Sequence, residues 1–158
     1  MTKEKLGALI IDSERQMYVT ARSILSEDQD CADAIQETIV KAFSKINSLK
    51  KDAFAKTWLI RILLNECYNI LRQKSRQIPM DMREEMDAKV VPEPQDYSDL
   101  YRAVSQLQEE LRVPVVLYYG EDFSVREIAQ VLEISEGAVQ KRLARARQKL
   151  RRLLETAS

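Results

Sequence analysis

The chain has 158 residues, 25 basic and 25 acidic side chains and no histidine, so its formal net charge is zero. With 45% apolar residues it can bury a core, and its length allows one ordinary domain or two small ones. Overall charge therefore says nothing about nucleic acid; two cysteines without histidine leave a tetrahedral zinc site short of ligands; and no apolar run approaches the roughly 20 residues of a membrane span.

Only three glycines occur, and few alternating β-branched runs, so the expected fold is all-α. The opening MTKEKLGALIIDSER is too short in its apolar stretch for a signal peptide. A first helix is expected from Lys5 to Leu25, with Leu9, Tyr18, Ala21 and Leu25 facing inward. A second is expected to start at Asp30, whose side chain can cap, with Asp33 favouring the positive dipole end. Ile35, Ile39, Ala42, Phe43 and Ile46 recur at helical spacing and form its expected buried stripe. Asp33, Gln36, Glu37, Val40 and Ser44 make up the opposite, acidic face, which suits a basic protein partner but also suits plain solvent.

A polar loop, Asn47 to Asp52, leads to a third helix from about Ala53 to Arg76, with Leu59, Ile62, Leu63, Ile70 and Leu71 on its core side. Arg61, Asn65, Asn69, Arg72 and Arg76 fall on one face of it. Asparagine can pair with a base edge and arginine can hold phosphate. The neighbouring aromatics Phe54 and Trp58 are expected in the core, and Tyr68 nearer the polar stripe. Cys31 and Cys67 are expected to be small apolar packers.

Pro79, Pro92 and Pro94 cluster in an acidic stretch with little periodicity, the pattern of a flexible linker. It divides the chain into a helical domain over 1–76, a linker over 77–95 and a second domain over 96–158. There a helix is expected from about Tyr97 to Leu111; Pro114 then either bends it or starts a new one. Ser124-Val-Arg-Glu127 is a capping box that opens a helix over Val125–Leu132, and Ser135 can cap a last helix running to about Leu153. Val139, Leu143, Ala146, Leu150 and Leu153 form its apolar seam.

That last helix carries seven bases and no acid between Ala138 and Leu154. Two helices joined by a short turn, the second basic on its outer side, make a helix-turn-helix fit for a DNA major groove. Ala129 is small where the helices cross, and Ile128, Leu132, Ile134 and Val139 hold their angle. Ser135, Gly137, Ala138, Gln140, Lys141, Arg142 and Arg145 are the residues expected at the DNA. Arginine is suited to guanine edges and lysine to phosphate, with Arg147, Lys149, Arg151 and Arg152 too far along to read bases.

The segments DAIQETIVKAF (33–43), TWLIRILLNECYNILRQKSR (57–76) and LRVPVVLYYGEDFSVREIAQVLEISEGAVQKRLARARQKL (111–150) together resemble the extracytoplasmic-function (ECF) group of bacterial sigma factors. Their order and spacing match over about 120 of the 158 residues. The resemblance implies two helical domains that seat on core RNA polymerase and bind promoter DNA. It places contact with the polymerase β′ clamp helices on Asp33, Gln36 and Glu37. Melting and capture of the −10 element as single strand fall on the loop Asn47–Asp52 with Arg61, Asn65, Asn69 and Arg72, where flipping a base into a pocket would supply both melting and specificity. The helix-turn-helix would read the −35 element as duplex and touch the β flap. The resemblance further implies control by a membrane-anchored anti-sigma factor; the short apolar runs lead to an expected cytoplasmic location without membrane insertion, and no cofactor, metal or catalytic residue is expected. Four residues depart from the group's pattern: Asn69 where aspartate is common, Leu64 where a basic or small residue is common, Glu133 for the usual turn glycine, and Gln108 for a helix-starting proline. A stand-alone helix-turn-helix regulator would account for 124–154 but leaves the domain at 1–76 unexplained. An enzyme lacks support from any nucleophile motif or glycine-rich phosphate loop.

Overall fold

Thr2 caps the first helix, its hydroxyl accepting from the Lys5 amide at 3.2 Å, and from there every regular element is helical. The computed structural model describes residues 1–77 and 98–157, and among these no strand occurs. The helices are α1 (Lys3–Arg22), α2 (Asp28–Ser44), α3 (Ala55–Gln77), α4 (Ser98–Gln106), α5 (Glu109–Val115), α6 (Val125–Leu132) and α7 (Glu136–Ala157). Single 3₁₀ turns at Ile46–Ser48 and Asp52–Phe54 connect α2 to α3. The chain divides into two compact units, Met1–Arg76 and Gln77–Ser158. The expected linker, with its three prolines, lies outside the described residues from position 78 on; Gln77 itself ends α3.

In the first unit α1 packs on α2. Leu6, Ile10, Met17 and Ala21 of α1 are buried, joined by Ile24 and Leu25 in the turn that follows. Tyr18, expected inside, is instead 38% exposed. Its hydroxyl donates to Asp28 Oδ1 at 2.6 Å, so the ring stays at the rim where its polar end keeps a partner. The second helix starts at Asp28 rather than Asp30. Its first backbone bond runs from the Cys31 amide to the Glu27 carbonyl at 3.1 Å. Asp30 thus lies inside the first turn rather than at the cap, and its carboxylate pairs with Lys74 at 2.5 Å.

The buried seam of α2 is Cys31, Ala34, Thr38 and Ala42; of the expected stripe Ala42 and Ile46 are buried, whereas Ile35, Ile39 and Phe43 are only half-buried. Small residues at this seam allow two helices to approach closely, and the Thr38 hydroxyl is satisfied by the Ala34 carbonyl at 2.7 Å. The large apolar residues of α3 complete the core: Leu59, Ile60, Leu63, Leu64 and Cys67 are all buried, while Ile62, Ile70 and Leu71 are half-buried. Leu64 is thus a core residue. Phe54, expected inside, is 58% exposed in the turn before α3, and Trp58 is half-buried.

In the second unit α4, α5 and α6 all pack on α7. The helix expected over 97–111 is broken at Leu107–Gln108, and Gln108 takes the extended N-cap conformation of α5. Leu111 to Val115 are buried on every side, as befits a central helix. The Arg112 guanidinium among them donates to the Leu107 carbonyl at 2.7 Å. Pro114 does not end the helix. It continues into a wide π turn, Val116–Gly120, in which the Glu121 amide reaches the Val116 carbonyl at 3.1 Å. This turn brings Tyr118 and Tyr119 to the surface as an edge-to-face pair with centroids 4.9 Å apart.

Glu133 closes α6 in the left-handed region, φ 57° and ψ 45°. A side chain there costs about 1 kcal/mol that glycine avoids. Glu133→Gly is expected to stabilise the second unit by about that amount, raising its calorimetric midpoint by roughly 4–8 °C. An unchanged or lower midpoint would show that the turn carries no strain.

Candidate nucleic-acid interface

Two surfaces collect the residues singled out from the sequence. The first is the α6–turn–α7 unit. Ser124 and Glu127 form a complete capping box, with the Ser124 amide donating to Glu127 Oε1 at 2.9 Å and the Glu127 amide to Ser124 Oγ at 3.1 Å. Ile128 and Ala129 bury the inner side of α6. The left-handed Glu133 reverses the chain, and the Ile134 amide returns to the Ala129 carbonyl at 3.1 Å. Ser135 then caps α7 by accepting from the Ala138 amide at 3.0 Å. This hydroxyl is therefore a structural cap as well as a residue at the candidate DNA surface.

Val139, Leu143 and Ala146 are buried, with Leu150 and Leu153 half-buried, so the expected seam of α7 is the observed one. On the far side Gly137, Gln140, Lys141 and Arg145 are exposed, and Ala138 and Arg142 are half-exposed at its edges. A Cβ on Gly137 would meet nothing nearer than Ser135 Oγ at 3.9 Å. The domain itself therefore does not require glycine there. Arg147 turns to the flank, its guanidinium 3.4 Å from the Tyr119 hydroxyl. It belongs with the π turn rather than with Arg142 and Arg145.

The second surface is a groove of about 620 Å³ between α2 and α3. Asp30, Asp33, Glu37 and Lys41 line it from α2; Glu66, Asn69, Ile70, Arg72, Gln73 and Arg76 line it from α3. Asp33 and Glu37 are thereby brought beside Asn69 and Arg72, two sets that the sequence assigned to different partners. Arg61 and Asn65 lie on the same exposed stripe of α3 but outside the groove, and Gln36 is exposed on α2 without lining it. Arg72 donates to Asn69 Oδ1 within the stripe. Asp33 accepts from Gln29 Nε2 at 2.9 Å.

What fixes the groove was not singled out from the sequence. Lys41, the lone base of α2, pairs with Glu66, the lone acid of α3. Lys74 bridges back to Glu27 at 3.1 Å and Asp30 at 2.5 Å. The signal was present: each helix carries one sign of charge with a single exception, and the two exceptions meet. Hydrogen bonding to Glu66 holds the Lys41 ammonium above its ordinary range, and hydrogen bonding to Asp30 does the same for Lys74. The hydrogen bond to Asp28 pushes Tyr18 up to about 12. Burial raises the Cys31 thiol to about 11 and Cys67 higher still, which leaves both as protonated, unreactive packers. Among the described residues no group of three or more His, Cys, Asp or Glu is arranged to hold a metal ion, and no helix is long and apolar enough to cross a membrane.

Residues 9–77 match the family described as sigma-70 region 2, and residues 97–150 match sigma-70, region 4. The chain is 29% identical over 146 residues to the RNA polymerase sigma factor SigV of Bacillus subtilis, covering 92% of this chain and 88% of that one. It is 30% identical over 141 residues to the ECF RNA polymerase sigma factor SigM of Mycobacterium tuberculosis, covering 89% and 72%. Among solved structures it resembles the sigma factor RpoE in complex with the anti-sigma factor NepR from Bartonella quintana, with TM-score 0.81 at 25% identity, covering 96% of this chain and 98% of that one.

Removing one partner of a largely buried ion pair strands the other. Glu66 is 8% exposed, whereas the Lys41 side chain is 36% exposed, which discounts the effect. Lys41→Met is expected to destabilise the first unit by about 2 kcal/mol in denaturant titration, and adding Glu66→Leu to recover most of it. The folded state holds the protons of Tyr18, Lys41 and Lys74 more tightly than the unfolded chain does. Their contribution is complete below pH 10.0, the ordinary tyrosine value, and is lost as pH rises through the elevated folded values. The buried thiols of Cys31 and Cys67 behave likewise from their ordinary 9.0 upward, so stability should fall above about pH 9, and less steeply in Lys74→Met, as followed by denaturation across the alkaline range.

Proposed function

Since the chain belongs to the ECF RNA polymerase sigma factors, and so directs promoter-specific initiation by that enzyme, we propose a division of labour between its two units. The second unit reads the −35 element as intact duplex through α7. Gln140, Lys141, Arg142 and Arg145, with the small Gly137 and Ala138 and the cap Ser135, meet the major groove. What carries this reading is a doubly capped helix-turn-helix whose exposed helix face is basic, with room at Gly137 that nothing inside the domain uses. The first unit captures the −10 element as single strand through Arg61, Asn65, Asn69 and Arg72 and the loop Asn47–Asp52. The exposure of all four residues along one face of α3 supports this. The acid face of α2, with Asp33, Gln36 and Glu37, seats on the β′ clamp helices, and the second unit also touches the β flap.

The chain has no catalysis of its own in this scheme and works in the cytoplasm. The likeness to RpoE held by NepR supports control by an anti-sigma factor, here proposed to be membrane-anchored. A stand-alone helix-turn-helix regulator is not favoured, because residues 9–77 match sigma-70 region 2.

Purified chain is expected to associate with core polymerase and to support run-off transcription from a selected promoter library; failure to associate would refute the scheme. Arg142→Ala and Arg145→Ala should each weaken −35 recognition by about 1–3 kcal/mol, with little loss on a scrambled −35 element. Equal losses on both would reduce them to phosphate contacts. Asn65→Ala should lower open-complex yield while duplex −35 binding survives.

A further inference from the structure

The α2–α3 groove has two walls of opposite charge. Asp33 and Glu37 stand on one and Arg72 and Arg76 on the other. All four are exposed, and among the described residues no ion pair joins either acid to either arginine. Lys41 is bonded to Glu66 and Lys74 to Glu27 and Asp30; the Lys41 charge also reaches Glu37 but makes no contact ion pair with it. With no contact ion pair between them, both walls remain open to whatever enters the groove. A phosphate approaching Arg72 or Arg76 meets, across the same groove, two carboxylates that repel it.

We propose that the acid wall is an electrostatic interlock. In the free chain Asp33 and Glu37 hold down the affinity of Arg72 and Arg76 for a single-stranded DNA backbone. When a cationic protein surface covers the carboxylates, that penalty is lifted and the strand is admitted. The inference rests on the assignment of the acid face to polymerase and of the arginine face to DNA. It adds that the two sites are coupled through their shared groove, and that Arg76 belongs to the strand-binding set. Coulomb coupling of this kind needs no conformational change. It operates over the roughly 8–10 Å at which exposed charges act on each other in 0.1–0.15 M salt.

The test is fluorescence anisotropy of the full chain with a labelled single-stranded oligonucleotide carrying a −10 sequence, in parallel with a measurement of binding to core polymerase. In Asp33→Asn/Glu37→Gln the affinity of the free chain for the oligonucleotide is expected to rise roughly three- to ten-fold at low salt. The gain should shrink as salt approaches 1 M, where the screening length is roughly 3 Å. Adding Arg72→Gln and Arg76→Gln should abolish it.

Unchanged oligonucleotide affinity in the acid-neutralised variant, or no binding by any variant, overturns the interlock. So does a gain that survives loss of both arginines. The polymerase arm separates this from the underlying assignment. Loss of core binding without a gain in strand affinity leaves the assignment standing and sinks the interlock. A gain in strand affinity with core binding intact keeps the repulsive wall but removes polymerase as what covers it.

Discussion

Leu59, Leu63 and Cys67 in α3, and Val139, Leu143 and Ala146 in α7, are narrow seams buried to a few percent exposure or less. They fix the rotation of each long helix about its axis, and everything functional follows from that angle. Once the seam is pinned, Arg61, Asn65 and Arg72 have no choice but to face outward from α3, and Lys141 and Arg145 from α7. Turning α7 by one position would place a guanidinium in its seam, Arg142 and Arg145 one way or Arg147 the other. That is far costlier than any contact the charged residues make in return. The apolar residues thus decide which charges meet a partner.

Within the first unit the same principle operates with charge. Glu66 lies nearly buried on a helix otherwise rich in bases, and it is tolerated because Lys41 reaches it across the groove. Such a pair adds little net stability compared with an apolar pair of the same shape, since Glu66 must leave water while the part-exposed Lys41 stays screened. What it supplies is register. An ion pair near the middle of the groove and the Lys74 bridges set the spacing of two helices whose contact seam is small-residued and permissive. The groove keeps its shape, and the acidic and basic walls stay apart, because these three carboxylates and two ammonium groups are already paired off.

The second unit places its irregular backbone around the exposed basic helix. The left-handed Glu133 makes the reversal between α6 and α7, and the π turn after Pro114 lifts Tyr118 and Tyr119 out of the core. Tyr119 then holds Arg147 away from the reading side of α7. Seven bases on one helix are thereby sorted by packing: Lys141, Arg142 and Arg145 lie opposite or beside the seam, whereas Arg147 serves the flank. Composition treats all seven alike.

The all-α class, the capping box at Ser124, the cap at Ser135, the seam of α7 and the outward stripe of α3 were legible from residue order. Each depends on neighbours within one or two helical turns, where spacing and hydrogen-bond chemistry are local. Residue order alone did not predict that α2 would bury Ala34 and Thr38 while leaving Ile35 and Ile39 at the edge, that Phe54 would be exposed, or that Tyr18 would turn out to Asp28. Those outcomes depend on how closely a second helix approaches and on which polar group waits at the rim. The meeting of Lys41 with Glu66, and of the acid wall with the arginine wall in one groove, was likewise decided only by tertiary structure. Sequence pattern reports which face of a helix a residue occupies, and packing alone determines what that face is set against.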